Sequence, residues 1–168
     1  EALPREATGR SDLLAFITHT GTQLGPLAVP TRQLHGDLGP SNYFIDRGQL
    51  RVVDWEGSVP QGAPLAETVL FLNHYARALP GRHNQLPKPD RAFHEAFLGD
   101  TWLRHLTWET FRDELRSLAL PPEAAEYLFV ATLADLAGGH APTAHAKRKG
   151  TQRNWTELLG VYASERRH

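Results

Sequence analysis

The chain has 168 residues, a length that suits one compact domain. Its 18 basic and 19 acidic residues give a formal charge of −1, so no overall positive field is available to hold DNA or RNA, and we expect no nucleic-acid partner. The absence of cysteine excludes disulfides, thiol catalysis and thiolate metal sites. No apolar run approaches the roughly 18 residues of a membrane helix, and the N-terminus has no apolar signal core. We therefore expect a cytoplasmic protein without membrane contact.

The first predicted element is a helix over residues 11–24. Leu13, Leu14 and Ile17 recur at helical spacing and are expected to share one face, and Ser11 is a suitable N-cap. Glycine and proline between residues 25 and 30 then break the helix.

A hairpin is predicted next along the chain. Residues 32–37 form a short segment that suits one strand, and they run into a loop marked by Gly39 and Pro40. Within residues 42–56, two β-rich runs flank a turn at residues 46–48. The second run leads directly to an aspartate.

The remainder is predicted to be helical, which makes the chain a mainly helical α+β domain with one small hairpin and about five to six helices. Apolar residues recur at helical spacing throughout it, and proline-rich or basic segments are expected to connect the helices at residues 80–90 and 140–150. The predicted helices are residues 64–79, residues 90–98, one capped by Thr107, one from Pro122 to Gly138, and a last one carrying Trp155. Four aromatic side chains are expected to fill the core, namely Trp55, Trp102, Trp108 and Phe111.

The most informative stretch is HGDLGPSNYFIDRGQLRVVDWE, residues 35–56. Asn42 follows Asp37 by five residues, and Asp54 follows Asn42 by twelve. A hairpin that leaves from Asn42 and returns would bring Asp54 back beside it. Carboxylate and amide oxygens suit Mg²⁺, which takes one or two protein ligands and completes its shell with phosphate oxygens and water. With Asn42 and Asp54 on the metal, Asp37 is left as a base for an incoming hydroxyl.

HGDLGPSN followed by VVDWE resembles the catalytic core of the aminoglycoside phosphotransferase and choline kinase-like families, which are relatives of the protein kinases. The resemblance covers about residues 30–80 and implies a protein-kinase-like C-terminal lobe. It implies that Asp37 is the catalytic base and that Asn42 and Asp54 hold the magnesium of Mg-ATP. Glu67 then stands where a carboxylate braces the catalytic loop, although this chain has Glu67-Thr68 where the family usually has Asp-Leu.

The resemblance implies an ATP- and Mg²⁺-dependent phosphotransferase. The acceptor would be a hydroxyl of an aminoglycoside, a sugar, an amino alcohol or a similar metabolite. His35 is expected to support the loop through hydrogen bonds to the backbone. Three positions are open for Glu56. It could lie on the surface without a role, support the metal ligands from behind, or face the substrate.

Kinases of this class place an ATP-binding lobe before the catalytic loop, with a glycine-rich loop and a lysine that hold the phosphates. The 34 residues before His35 contain no lysine and no such loop. We therefore expect residues 1–168 to be the C-terminal catalytic lobe, with the N-terminal ATP-binding lobe absent from this chain, and the isolated chain to be nearly inactive.

Two other functions fit the same residues. The first is a kinase-like binding module without catalysis, which the missing lobe favours and the intact Asp37, Asn42 and Asp54 disfavour. The second is a metal-dependent phosphoesterase, although such sites usually need more His and Asp ligands than this loop provides.

Overall fold

Helices account for most of the computed structural model, which describes residues 5–79, 89–138 and 149–166. This confirms the predicted α+β, mainly helical class. The helices are α1 Arg5–Leu24, α2 Ala66–Ala78, α3 Pro89–Phe93, α4 Trp102–Ser117, α5 Ala125–Gly138 and α6 Lys149–Glu165. The strands are β1 Arg32–Leu34, β2 Tyr43–Asp46, β3 Gln49–Val52 and β4 Val59–Gly62. Short 3₁₀ turns occur at Trp55–Gly57 and Pro122–Ala124, and α3 continues into a π-helical turn at His94–Leu98.

Strands β2 and β3 form the predicted hairpin. Their antiparallel register pairs Tyr43 with Val52 and Asp46 with Gln49. Arg47 and Gly48, at the turn, both have positive φ (49° and 77°), which matches the right-handed twist of the two strands. A second antiparallel pair, β1 with β4, had no counterpart in the sequence prediction. It forms because the chain returns alongside β1 before it enters α2.

The core lies among the helices and is built around aromatic rings. Phe129 of α5 is fully buried, and its ring centroid lies 4.9 Å from that of Phe97 and 5.1 Å from that of Tyr162 on α6. Trp108 and Phe111 of α4 pack on the same ring, which confirms their predicted core positions. The predicted apolar face of α2 is buried as well, through Leu65, Val69, Leu72 and Ala76. Within the described residues, no helix has both the length and the apolar character needed to cross a membrane.

Several predicted helix starts were wrong. Helix α1 begins at Arg5, so Ser11 lies inside it and is not its cap. Helix α4 begins at Trp102, because the Thr101 hydroxyl accepts a hydrogen bond from the Arg104 backbone N–H at 3.1 Å. Thr107 is buried one and a half turns into the same helix. The last helix, α6, begins at Lys149 and carries Trp155, as predicted.

Two predicted core positions, Trp102 and Trp55, were also wrong, and so was the face that Leu14 was expected to share with Leu13 and Ile17. Trp102 is 59% exposed and Leu14 is 58% exposed, whereas Leu13 and Ile17 pack partly buried against the core. Trp55 is 48% exposed because it follows the hairpin rather than facing the helices. Most of the two predicted connectors, at residues 80–88 and 139–148, lies outside the described residues.

Candidate functional site

The loop that precedes the hairpin is shaped by a glycine. Gly36 has a φ of 86°, a conformation that side chains of L-residues rarely adopt. A Cβ at this position would also overlap the carbonyl oxygen of Gly57. Only glycine meets both conditions, so the His-Gly-Asp sequence lets the loop lie directly against the 3₁₀ turn that follows Asp54.

His35 joins the loop to the end of β3. It is 1% exposed, and its Nε2 lies 2.7 Å from the carbonyl oxygen of Val53. Its Nδ1 accepts a hydrogen bond from the backbone N–H of Asp37 at 3.3 Å. A carbonyl can only accept and an amide N–H can only donate, so these partners assign the imidazole proton to Nε2. The neutral ring thereby positions the residue before Asp54 and the backbone of Asp37 together.

Glu67 braces the same loop from the first turn of α2. Its Oε1 accepts a hydrogen bond from the backbone N–H of Gly36 at 2.7 Å. A hydrogen bond to an ionised carboxylate is roughly twice as strong as one between neutral groups. The loop is therefore held to α2 by Glu67 and to β3 by His35.

Asn42 closes the loop. It is 8% exposed, and its Nδ2 donates to the backbone carbonyl of Asp37 at 2.7 Å. Since that carbonyl accepts only, the amide oxygen must point the other way, where it accepts a hydrogen bond from the Ser41 hydroxyl at 3.2 Å. Asn42 Oδ1 thus keeps a second lone pair for another partner.

Asp54 lies at the same end of the hairpin as Asn42. The backbone N–H of Val53 donates to the Asn42 carbonyl at 3.0 Å, which extends the β2–β3 ladder by one pair. Asp54 adopts a left-handed conformation, with φ 65° and ψ 55°, and its side chain does not cap the following 3₁₀ turn. Aspartate adopts this region more readily than most non-glycine residues, and residues held in it occur at turns and cluster at functional sites.

The structure therefore brings three predicted residues to one end of the hairpin. Asn42 is bonded to the Asp37 backbone, and Asp54 follows the residue that pairs with Asn42. The side chains of Asp37, Asp54 and Glu56 are exposed. Glu56 lies in the 3₁₀ turn at Trp55–Gly57, which places it on the surface beside Asp54. In the described part of the chain, no three His, Cys, Asp or Glu side chains form a metal-binding group.

The two faces of the hairpin differ in their surroundings. Residues two apart on a strand share a face, and so do residues directly paired across strands. Asn42, Phe44 and Val53 therefore lie on one face, where Phe44 is 51% exposed and Val53 is 42% exposed. The opposite face carries Tyr43, whose ring centroid lies 5.4 Å from that of Phe71 on α2. An exposed apolar surface thus adjoins the candidate metal ligands, a feature that the strand alternation could have indicated.

Behind the loop, Glu114 connects three elements that sequence reasoning did not associate with the site. Its Oε2 accepts from the Thr68 hydroxyl at 2.9 Å, and its Oε1 lies 3.4 Å from Arg32 Nη1. Burial raises the pKa of the Glu114 carboxyl, with a further contribution from Glu67, while Thr68 and Arg32 act in the opposite direction. These groups line a cavity of about 320 Å³ whose other walls include Leu38, beside Asp37.

Comparisons of the chain with protein-family models, with curated proteins and with solved structures find no match.

Proposed function

We propose that residues 35–54 form the metal-binding and acceptor-activating side of an ATP-dependent phosphotransferase acting on a small-molecule hydroxyl. The chain would then be the C-terminal lobe of a protein-kinase-like enzyme. The observation that carries the proposal is the bonding of Asn42, through its side chain to Asp37 and through its backbone to Val53. This bonding supports a role in which a carboxylate, an amide oxygen and a second carboxylate act at one end of the hairpin.

The donor set fits Mg²⁺. Asn42 Oδ1 faces away from the Asp37 carbonyl, and the exposed Asp54 carboxylate is not used to cap the turn. Hard oxygen ligands of this kind suit Mg²⁺, which demands few protein ligands when phosphate oxygens and water complete its shell. A Mg²⁺ bound by Asn42 and Asp54 would neutralise the charge that develops on the phosphates.

Asp37 is the residue left to act on the acceptor. Its backbone is fixed at the N–H by His35 and at the carbonyl by Asn42. The point from which its side chain extends is therefore fixed. In the proposed step the acceptor oxygen forms a bond to the γ-phosphorus, the bond from that phosphorus to the β,γ-bridging oxygen breaks, and the hydroxyl proton passes to Asp37.

The apolar surface at Phe44 and Val53 supplies a place for the base of the nucleotide. A purine ring is flat and largely apolar, and stacking on an aromatic side chain is worth about 1–3 kcal/mol per base. Because Phe44 lies on the same face as Asn42, a base over Phe44 would direct its phosphates toward the metal ligands.

Metal binding is tested with Mn²⁺ as a paramagnetic probe of the ¹⁵N-labelled chain. We expect selective broadening of the Asn42 side-chain amide and of the Asp54 backbone amide, reversed by excess Mg²⁺. Asp54→Asn should remove the effect. Asp46→Asn is the matched control, because Asp46 is a half-exposed hairpin carboxylate at the turn end, four residues from Asn42. Equal broadening in wild type and Asp54→Asn would overturn the metal assignment.

Under this proposal the ATP-binding lobe is not part of residues 1–168, so catalysis is tested in the full-length protein that contains both lobes, with γ-labelled ATP and separate aminoglycoside, sugar and amino-alcohol acceptors. Asp37→Asn should abolish transfer while Mn²⁺ broadening persists, since the variant loses the base and keeps both metal ligands. Metal binding with no transfer to any acceptor would favour a binding module. Phosphate release from simple esters without ATP would favour a phosphoesterase.

A further inference from the structure

A second polar cavity, of about 500 Å³, lies apart from the hairpin site and shares none of its residues. It is bounded by the outer face of α4, by the turn that leads into α5 and by the end of α6. The charged side chains that line it are Arg104, Glu109, Arg112, Arg116, Glu123, Glu126 and Arg166.

The arginines of α4 face this cavity in a regular row. Arg104, Arg112 and Arg116 are separated by eight and four residues, and positions four apart lie above one another on a helix. Trp108 completes the row, and its buried indole forms the wall between the cavity and the aromatic core. Like charges four residues apart repel each other, so an anion among them would be favourable.

Arg104 provides the most specific sign of a ligand. Its Nε is buried and has no hydrogen-bond acceptor among the described residues. A guanidinium is always charged and is built to pair with the two oxygens of a carboxylate or phosphate. Because this Nε is closed to solvent, an oxyanion in the cavity would pair with the other N–H groups of the guanidinium and would compensate its partly buried charge.

The other arginines are partly engaged. Arg166 Nε lies 2.9 Å from Glu126 Oε1 and also donates to the Tyr162 hydroxyl, and Arg116 pairs with Asp113. Among the residues that the structure describes, Arg104 and Arg112 have no acidic partner, and they remain as the cationic pair of the cavity. Glu109 and Glu123 also line it and are exposed, which disfavours a polyanion and favours a small ligand with a single oxyanion group.

We infer that this cavity binds a small molecule through one phosphate or carboxylate group, held by Arg104 and Arg112. The inference does not depend on the phosphotransferase proposal, because no residue is common to the two sites.

The test is a titration of the ¹⁵N-labelled chain with inorganic phosphate and, separately, with acetate, both at constant ionic strength. The signals followed are the Arg104 Nε–H and the Trp108 indole N–H. We expect saturable shifts at one site, and the tighter of the two anions identifies the ligand group as phosphate or carboxylate. Arg104→Gln and Arg112→Gln should each weaken binding about tenfold, the usual cost of losing a hydrogen bond to a charged group.

Two further variants make the result decisive. Arg104→Lys keeps the charge and removes the planar set of N–H donors that matches an oxyanion, so it should weaken binding as well. Arg91→Gln is the matched control, since Arg91 is an exposed arginine outside the cavity. The affinity of this variant for the anion should stay within about twofold of that of the wild type. Non-saturating shifts, or equal weakening in Arg91→Gln and Arg112→Gln, would overturn the inference. Arg112 is exposed, so its variant tests the cavity even if Arg104→Gln fails to fold.

Discussion

The helical core and the β2–β3 hairpin contain similar apolar residues, but the core buries them and the hairpin leaves many of them exposed. In the core, Phe129 and Tyr162 are fully buried among other rings. In the hairpin, Phe44, Ile45 and Leu50 are each more than half exposed. Burial therefore accounts for the stability of the helices, whereas in the hairpin it is limited to one face, where Tyr43 packs on Phe71.

Polar contacts fix the hairpin instead. His35 holds the end of β3, Glu67 holds Gly36, and Asn42 holds the Asp37 carbonyl. These bonds are directional, so they set the candidate site residues more sharply than apolar packing would. The difference indicates that the helices supply stability, while the loop supplies geometry and leaves an apolar surface uncovered.

The largest expected effect on the free energy of unfolding comes from truncating one phenylalanine in each region. Phe129→Ala should lower the free energy of unfolding by about 3–5 kcal/mol, because it leaves a cavity within the ring cluster. Phe44→Ala should change it by no more than about 0.5 kcal/mol, since half of that side chain is already exposed. Urea denaturation of both variants measures the difference.

A conservative substitution, Phe129→Leu, keeps the comparison measurable if Phe129→Ala does not fold. Phe129→Leu keeps most of the apolar volume and should lose less than Phe129→Ala. A loss in Phe44→Ala comparable to that in Phe129→Leu would show that the hairpin contributes to the core after all.

The sequence predicted these two regions to different degrees. The apolar period of α2 and the turn at Arg47-Gly48 were sufficient to place a helix and a hairpin. Thr107 was mistaken for a cap because its residue type suits the position, whereas Thr101 alone has the extended backbone that a cap requires. Trp55 was mistaken for a core residue because size and apolarity do not reveal whether another element covers a hairpin.

The candidate site was predicted in part, for a related reason. Local spacing was enough to bring Asn42 and Asp54 to one end of a hairpin. Glu114 could not be associated with the loop, since its contact with Thr68 joins residues 46 apart in the chain. The arginines of α4 lie eight and four residues apart in the sequence, but the burial of the Arg104 Nε, which has no acceptor among the described residues, depends on the packing of other helices around it.

A smaller effect on the free energy of unfolding is expected from substituting two glycines, one in the loop and one in the hairpin. Gly36 and Gly48 both have positive φ, but a Cβ on Gly48 would meet no atom within 4 Å. Gly48→Ala should therefore cost about 1–2 kcal/mol from backbone conformation alone. Gly36→Ala should exceed that loss by about 1–3 kcal/mol, because its Cβ also overlaps the Gly57 carbonyl oxygen.

Urea denaturation gives the two losses, and hydrogen exchange at the Gly36 amide shows whether the bond to Glu67 survives. Faster exchange is expected in Gly36→Ala and not in Gly48→Ala. Equal losses in the two variants would mean that the loop and the 3₁₀ turn can separate freely and that the site is not rigidly bonded.

The smallest expected effect concerns Glu114, which links the core helix α4 to β1 and α2. Its folded-state pKa is raised above the ordinary value of 4.5, chiefly by burial, so the folded protein holds this proton more tightly than the unfolded chain does. The contribution of Glu114 to stability therefore falls as the pH rises from the ordinary value through the folded-state pKa.

Glu114→Gln cannot titrate, so the stability of wild type relative to this variant should decline across that interval. Urea denaturation at several pH values from about 4 upward measures the decline. Glu123→Gln, at an exposed position outside this contact, should give a difference that does not follow that decline. If the wild type instead gained stability over Glu114→Gln with rising pH, the ion pair with Arg32 would outweigh burial, and α4 would be joined to β1 mainly by charge.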